Sequence, residues 1–272
     1  MAGGGEHEDE RRAALRRDRL TALAAAAAIA AVLVGVLAVA RLARGDDGRD
    51  GGSARIEDDP GSGGARIDIA VVGDSLIEQS RDQLAAHADA AGLRLEAHAF
   101  GGSAPCDWRD ELARLAEAEP RHLVLSFAGN DNTPCVNPEG GGPRDPQTIA
   151  DAYAEMMPGL LDLFAEADTE VYLALPPPVG EPASEPAAAA IRATYRDLAA
   201  GRPELTLIDP APLLGDDDGR FAAALPCQPW EADECGPDGT ITVRLPDGIH
   251  LTEAGGERYA RVVMATIGVM PD

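Results

Sequence analysis

The sequence predicts an α/β domain with a central parallel sheet of about five strands, covered by helices on both faces and preceded by one transmembrane helix. Three observations carry this. From Arg66 onward, short apolar runs alternate with helix-length amphipathic segments. The apolar runs are nearly continuous, as strands buried on both faces are, rather than alternating with polar residues. Before them, Leu20 to Ala40 forms a stretch of 21 residues without a charge.

That stretch, rising about 1.5 Å per residue, spans roughly 31 Å as a helix, close to the hydrocarbon thickness of a bilayer. Residues 1–19 are arginine-rich, whereas Arg41 and Arg44 are soon followed by Asp46 and Asp47. The positive-inside rule then places the N-terminus in the cytoplasm and the remainder outside it. Residues 20–42 are expected to be an uncleaved anchor. The rival is a signal peptide cleaved near Ala38-Val39-Ala40, although the apolar run exceeds the usual ~7–15 residues of such segments. Residues 43–65 are glycine- and aspartate-rich, bury too little to offset ordering, and read as a flexible tether to a domain over 66–272.

Within that domain, 67–72 reads as the first strand and 76–91 as an amphipathic helix ending at Gly92. Residues 93–100 form the second strand and 107–118 a helix. The third strand is 122–128, followed by a long loop and a helix over 146–167. Residues 170–175, a helix over 187–200 and residues 205–208 complete the strand pattern. A final helix covers 252–267. Alternation of this kind gives a parallel sheet whose ligands bind beyond the carboxyl ends of the strands.

Polar motifs fall at those ends. Gly73-Asp74-Ser75-Leu76 leaves the first strand, Gly101-Gly102-Ser103 the second and Gly129-Asn130-Asp131 the third; Asp247-Gly248-Ile249-His250 precedes the last helix. Taken singly, Ser75 is an ordinary N-cap candidate and His250 an ordinary surface histidine. Together they assemble the parts of a nucleophilic site. A serine hydroxyl needs a base to take its proton, an imidazole exchanges protons near neutral pH, and a carboxylate can hold that imidazole in one tautomer. Ser75, His250 and Asp247 are therefore the candidate catalytic residues.

In these motifs and their order, the chain over about 66–270 resembles the SGNH or GDSL-type hydrolases, which have a flavodoxin-like three-layer sandwich. The third motif matches only in part, and Ala99-Phe100 stand where many members carry an asparagine. "DGIHLTEAGGERYA" (247–260) is typical of the family's last block. The resemblance implies a serine esterase working through an acyl-enzyme without metal or organic cofactor. It also implies an oxyanion hole formed by the Ser75 amide, a backbone amide of Gly101 or Gly102, and the Asn130 side chain. "GGSAPCDW" (101–108) looks like exported or membrane-tethered members, so an envelope glycan or lipid ester is the expected substrate. The alternatives are an O-acyltransferase using the same acyl-enzyme and a catalytically silent glycan-binding module.

Residues 46–272 carry a net charge of −26, against +2 for residues 1–45, and the chain has no lysine. This excludes nucleic acid and anionic lipid surfaces as partners of the domain. Four cysteines in an exported domain, with no C-x-x-C spacing, favour two disulfides over a metal site. Three pairings are open. Closeness in sequence favours Cys227–Cys235, leaving Cys106–Cys135. Trp108 and Trp230 are candidate walls of the substrate site, the latter because its loop precedes His250 so closely.

Overall fold

The structure, a computed structural model, describes residues 66–140 and 144–270. The expected basic N-terminus (1–19), membrane span (20–42) and tether (43–65) lie outside the described residues. Among the described residues no helix is long and apolar enough to cross a membrane.

The chain runs β1 (Ile69–Gly73), α1 (Ser75–Ala90), β2 (Leu95–Ala99), α2 (Arg109–Ala118), β3 (His122–Ser126), α3 (Pro146–Leu161), β4 (Glu170–Ala174), α4 (Glu185–Ala200) and β5 (Leu205–Ile208). A short helix α5 (Ala211–Leu214), a hairpin of β6 (Ala224–Pro226) and β7 (Thr240–Thr242), and helix α6 (Glu253–Thr266) follow. The five main strands are all parallel, in the order β2-β1-β3-β4-β5. The fold is therefore the expected α/β sandwich. Its order reverses between β1 and β3, the position at which doubly wound sheets open a crevice for ligands.

Strand alternation sorts the core into two layers. Ala70, Val72, Leu123, Leu125 and Leu173 face Leu112, Leu115, Tyr153, Met157 and Ile191 of α2, α3 and α4. Ile69, Val71, Val124 and Ala174 face Ile77, Leu84, Tyr259, Val263 and Met264 of α1 and α6. Each fully buried aliphatic side chain contributes about 1.5–3 kcal/mol, which is why the central β1 and β3 read as nearly unbroken apolar runs.

The helices begin where their caps stand. Asp74 accepts from the Leu76 amide, Asp145 from Gln147 and Thr148, and Thr252 from Gly255. Two expectations change. The helix expected over 146–167 ends at Leu161 and tightens into a 3-10 turn over Asp162–Phe164. Pro158 withholds a ladder N–H and Gly159 favours helix poorly, so the last turns are weak. The stretch after β5 is also not plain loop, since it carries α5 and the β6–β7 hairpin.

Cys106 pairs with Cys135 and Cys227 with Cys235. The first bridge joins the segment after β2 to the one after β3. The second closes a loop inside the hairpin.

Candidate active site

The site is built at the β1/β3 switch point. Gly73 ends β1 so close to β3 that a Cβ there would lie 2.5 Å from the Ser126 carbonyl oxygen; only glycine fits. Asp74 follows, buried, and one carboxylate gathers three donors. Its Oδ1 accepts from the Leu76 amide at 3.1 Å, and its Oδ2 from the Ala128 amide at 2.8 Å and from Asn130 Nδ2 at 3.0 Å. Burial pushes this carboxyl up to about 6, although the Ala128 and Leu76 amides pull the other way. Asp74 thus ties the exit of β1 to the exit of β3.

Ser75 is the first residue of α1 and half-buried. Its amide is among those an α-helix leaves without an intrahelical partner, so it is available to an incoming oxyanion. Gly101 abuts it: a Cβ at Gly101 would come within 3.7 Å of the Ser75 Cβ. Asn130 is held from three sides. Its Nδ2 donates to Asp74 and, at 3.0 Å, to the Ser103 carbonyl; its own carbonyl accepts from the Tyr153 hydroxyl at 3.1 Å. An amide nitrogen has two hydrogens, and both are directed at protein acceptors here.

His250 stands on a turn folded by Asp247. Asp247 Oδ1 accepts from the amides of Ile249 and His250, both at 2.9 Å, while Oδ2 lies 2.7 Å from His250 Nδ1. Burial would raise this carboxyl, but the imidazole contact and the two amides outweigh it and hold the group down at about 2. Asp247 is therefore ionised at neutral pH and fixes the imidazole with Nε2 turned away from it. Gly248, at φ 71°, lets the turn press against the loop after β4, where its carbonyl accepts from the Gly180 amide at 2.8 Å.

Two residues that sequence reasoning missed hold this turn. Arg244 is buried and donates to the carbonyls of Ile249 at 2.9 Å and Pro178 at 3.0 Å. Burial lowers its pKa to about 10. Gln79 lies one helical turn beyond Ser75 and accepts the Leu251 amide at 2.8 Å, tying the histidine loop to the serine helix. The i to i+4 spacing of Ser75 and Gln79 put both on one face of α1 and was the available signal for it.

Ser75, Gly101, Gly102, Asn130 and His250 line one cavity of about 550 Å³. Ile149, Pro176, Pro177, Val179, Ala187 and Ala188 give it an apolar wall. Asp247 backs His250 from outside. Among the described residues no hydrogen bond joins the Ser75 hydroxyl to the imidazole. In unliganded sites such contacts are commonly loose and tighten with substrate.

Neither tryptophan lines the cavity, which corrects the expectation for both. Trp108 packs behind the β2 loop, its Nε1 donating to Ser103 Oγ at 3.0 Å and its ring 4.9 Å from that of Phe100. Trp230 lies beside α6, 41% exposed, with the Arg261 guanidinium 4.4 Å from its ring centre. Its loop is drawn there by the buried Glu231–Arg258 pair, whose two contacts are both 2.7 Å. Sequence closeness to His250 did not become closeness in space.

Solved structures share this fold. A metagenomic α/β hydrolase from Lake Arreo, Spain, superposes with a TM-score of 0.51 at 15% identity, over 75% of this chain and 96% of that one. An acetyl-xylooligosaccharide esterase from Geobacillus gives a TM-score of 0.51 at 13% identity, over 75% and 97% of the two chains. A Bacteroides fragilis protein described as an acylhydrolase gives 0.50 at 16% identity, over 73% and 85%. At such identities the likeness is one of fold. No curated protein matches the sequence. Residues 68–266 match the model of the family described as protein of unknown function DUF459, and the chain belongs to that family.

Proposed function

We propose that this protein is a serine esterase acting on carboxylic esters outside the cytoplasm, tethered by the 20–42 segment. The observation that carries the reading is the Asp247–His250 contact of 2.7 Å on a turn that lines the same cavity as Ser75. His250 takes the Ser75 proton on Nε2 as Oγ attacks the ester carbonyl carbon. Asp247 holds the tautomer and stabilises the imidazolium. The Ser75 amide, an amide of Gly101 or Gly102, and Asn130 then face the oxyanion, Asn130 by sharing a hydrogen now directed at Asp74 or Ser103. Losing one such donor usually costs about 2.7–4 kcal/mol in the transition state. The imidazolium protonates the leaving alcohol, and water, deprotonated by His250, releases the acid from the acyl-serine.

The arginine-flanked apolar run and the two disulfides support an extracytoplasmic location. The polar rim, apolar wall and fold likeness to an acetyl-xylooligosaccharide esterase support short O-acyl groups on envelope glycans or lipids as substrates.

The test is hydrolysis of p-nitrophenyl acetate against longer-chain esters, with labelling by a fluorophosphonate probe. Wild type should turn over the short ester and take the label. Ser75→Ala should lose about 10⁴-fold or more in kcat and all labelling. Equal rates for the two proteins would overturn the assignment.

A further inference from the structure

We infer that the substrate carries an anionic group, a carboxylate or phosphate, which Arg144 receives inside the cavity. The inference rests on the esterase reading of this site and narrows its substrate. Arg144 is the one arginine among the cavity's lining residues. It is locally oriented at two points: its backbone amide donates to Asp131 Oδ2 at 3.0 Å, and its Nε donates to Asn137 Oδ1 at 3.2 Å. Its terminal nitrogens donate to no acceptor among the described residues, and it makes no ion pair among them. Arg192, Arg202, Arg258 and Arg261, by contrast, each hold a carboxylate.

The setting makes this informative. The domain is strongly acidic, so an anionic substrate is repelled by the surface as a whole, and a cationic or neutral one needs no arginine. The acid next to it along the chain, Asp145, turns its Oδ1 to the Gln147 and Thr148 amides, and Asp131, which also lines the cavity, has its Oδ2 engaged by the Arg144 main chain. The guanidinium is thus left to present two parallel N–H groups, the geometry that a carboxylate or phosphate accepts as a pair. Ile149, Pro176, Pro177, Val179, Ala187 and Ala188 line the same cavity and can contact an acyl chain or sugar face but offer no charge. A neutral acetylated sugar would leave the guanidinium without a partner in a cavity that excludes part of its water. An acetylated uronate or sugar phosphate would not.

The experiment compares mono-O-acetylated glucose, glucuronate and glucose 6-phosphate, which share ring and leaving group, by acetate release from the full-length protein. Wild type should favour one or both anionic sugars by about 10- to 100-fold in kcat/KM. Most of that should lie in KM, and it should shrink as salt rises. R144Q should bring the ratio close to one, and R144K should keep part of it. A carboxylate-only preference identifies uronates, a phosphate-only preference identifies phosphorylated glycans, and either supports the inference. A ratio unchanged between wild type and R144Q, or a wild-type preference for glucose, overturns it. Calorimetric binding of the same sugars to Ser75→Ala, with and without R144Q, separates the two levels. An anion preference in binding without turnover would sink the esterase reading and leave the anion site. Turnover with no charge preference in rate or binding would do the reverse. Should R144Q fail to fold, R144K and the salt dependence of wild type still decide.

Discussion

Two segments of this protein, 101–140 and 211–246, look alike in sequence, each holding one disulfide and one tryptophan, yet only the first contributes to the cavity. In the first, Cys106–Cys135 couples the exits of β2 and β3, and Trp108 supports Ser103, whose carbonyl accepts from Asn130. In the second, Cys227–Cys235 closes a short loop whose anchor is the buried Glu231–Arg258 pair, facing α6. A disulfide and an aromatic therefore mark an ordered loop, not a functional one. What separates the two is whether their polar groups reach the strand ends at the switch point.

The largest expected effect tests the anchor of the second segment. Arg258→Met leaves Glu231 buried without its partner, which should cost about 3–5 kcal/mol in urea unfolding. The kcat of the protein that remains folded should hold. A loss of kcat matching the loss of stability would show that the segments are not independent. Next come the disulfides. Cys106→Ser with Cys135→Ser should remove about 3–4 kcal/mol and also lower kcat, because the loops carrying Gly102 and Asn130 are no longer tied. Cys227→Ser with Cys235→Ser should remove about 2–3 kcal/mol and leave kcat nearly intact. Equal kinetic effects from both pairs would break the comparison.

The third effect distinguishes Asp74, the carboxylate to which Asn130 of the first segment donates, from Glu231 of the second. The Asp74 carboxyl is raised from 3.8 to about 6 in the folded protein. The native state therefore binds its proton more tightly than the unfolded chain. The stability this contributes is complete below the ordinary carboxylate value and disappears as pH rises through about 6. Relative to Asp74→Asn, wild type should lose roughly 2 kcal/mol of unfolding free energy between about pH 4 and 7. Glu231 is shifted the other way: burial would raise its carboxyl, but Arg258 and the Gln228 amide hold it below its usual range. Its contribution is lost instead as the solution is acidified below that range. A flat difference between wild type and Asp74→Asn across that pH interval would remove Asp74 from this account. The smallest effect is at Trp230, where replacement by Ala should change kcat/KM less than twofold and stability by about 0.5–1 kcal/mol through the lost Arg261 contact.

The strand exits were legible because the first three strands each run on to a glycine and a polar residue, and because a parallel sheet brings such ends together. That was enough to place Ser75, Gly101, Gly102, Asn130 and His250 around one cavity. Arg244 was not legible, and Gln79 only as a neighbour of Ser75 on one helix face, because their partners are main-chain groups of loops whose approach depends on tertiary packing. Trp230 was misplaced for the opposite reason. Its nearness to His250 along the chain was visible, whereas the Glu231–Arg258 pair that carries it away joins residues far apart in sequence. The β6–β7 hairpin escaped notice because three-residue strands leave no periodicity to read.

The bond from Gln79 to the Leu251 amide has a mechanical consequence. The imidazole hangs from the same helix that presents the serine, one turn further along, so a rocking of α1 carries both reacting groups as one piece. The spacing between them is thereby insulated from the length and make-up of the tip of the β6–β7 hairpin, while Arg244 beyond that hairpin keeps its hold on the histidine turn. That hairpin tip is accordingly the place to graft a foreign binding loop onto this scaffold without retuning its chemistry.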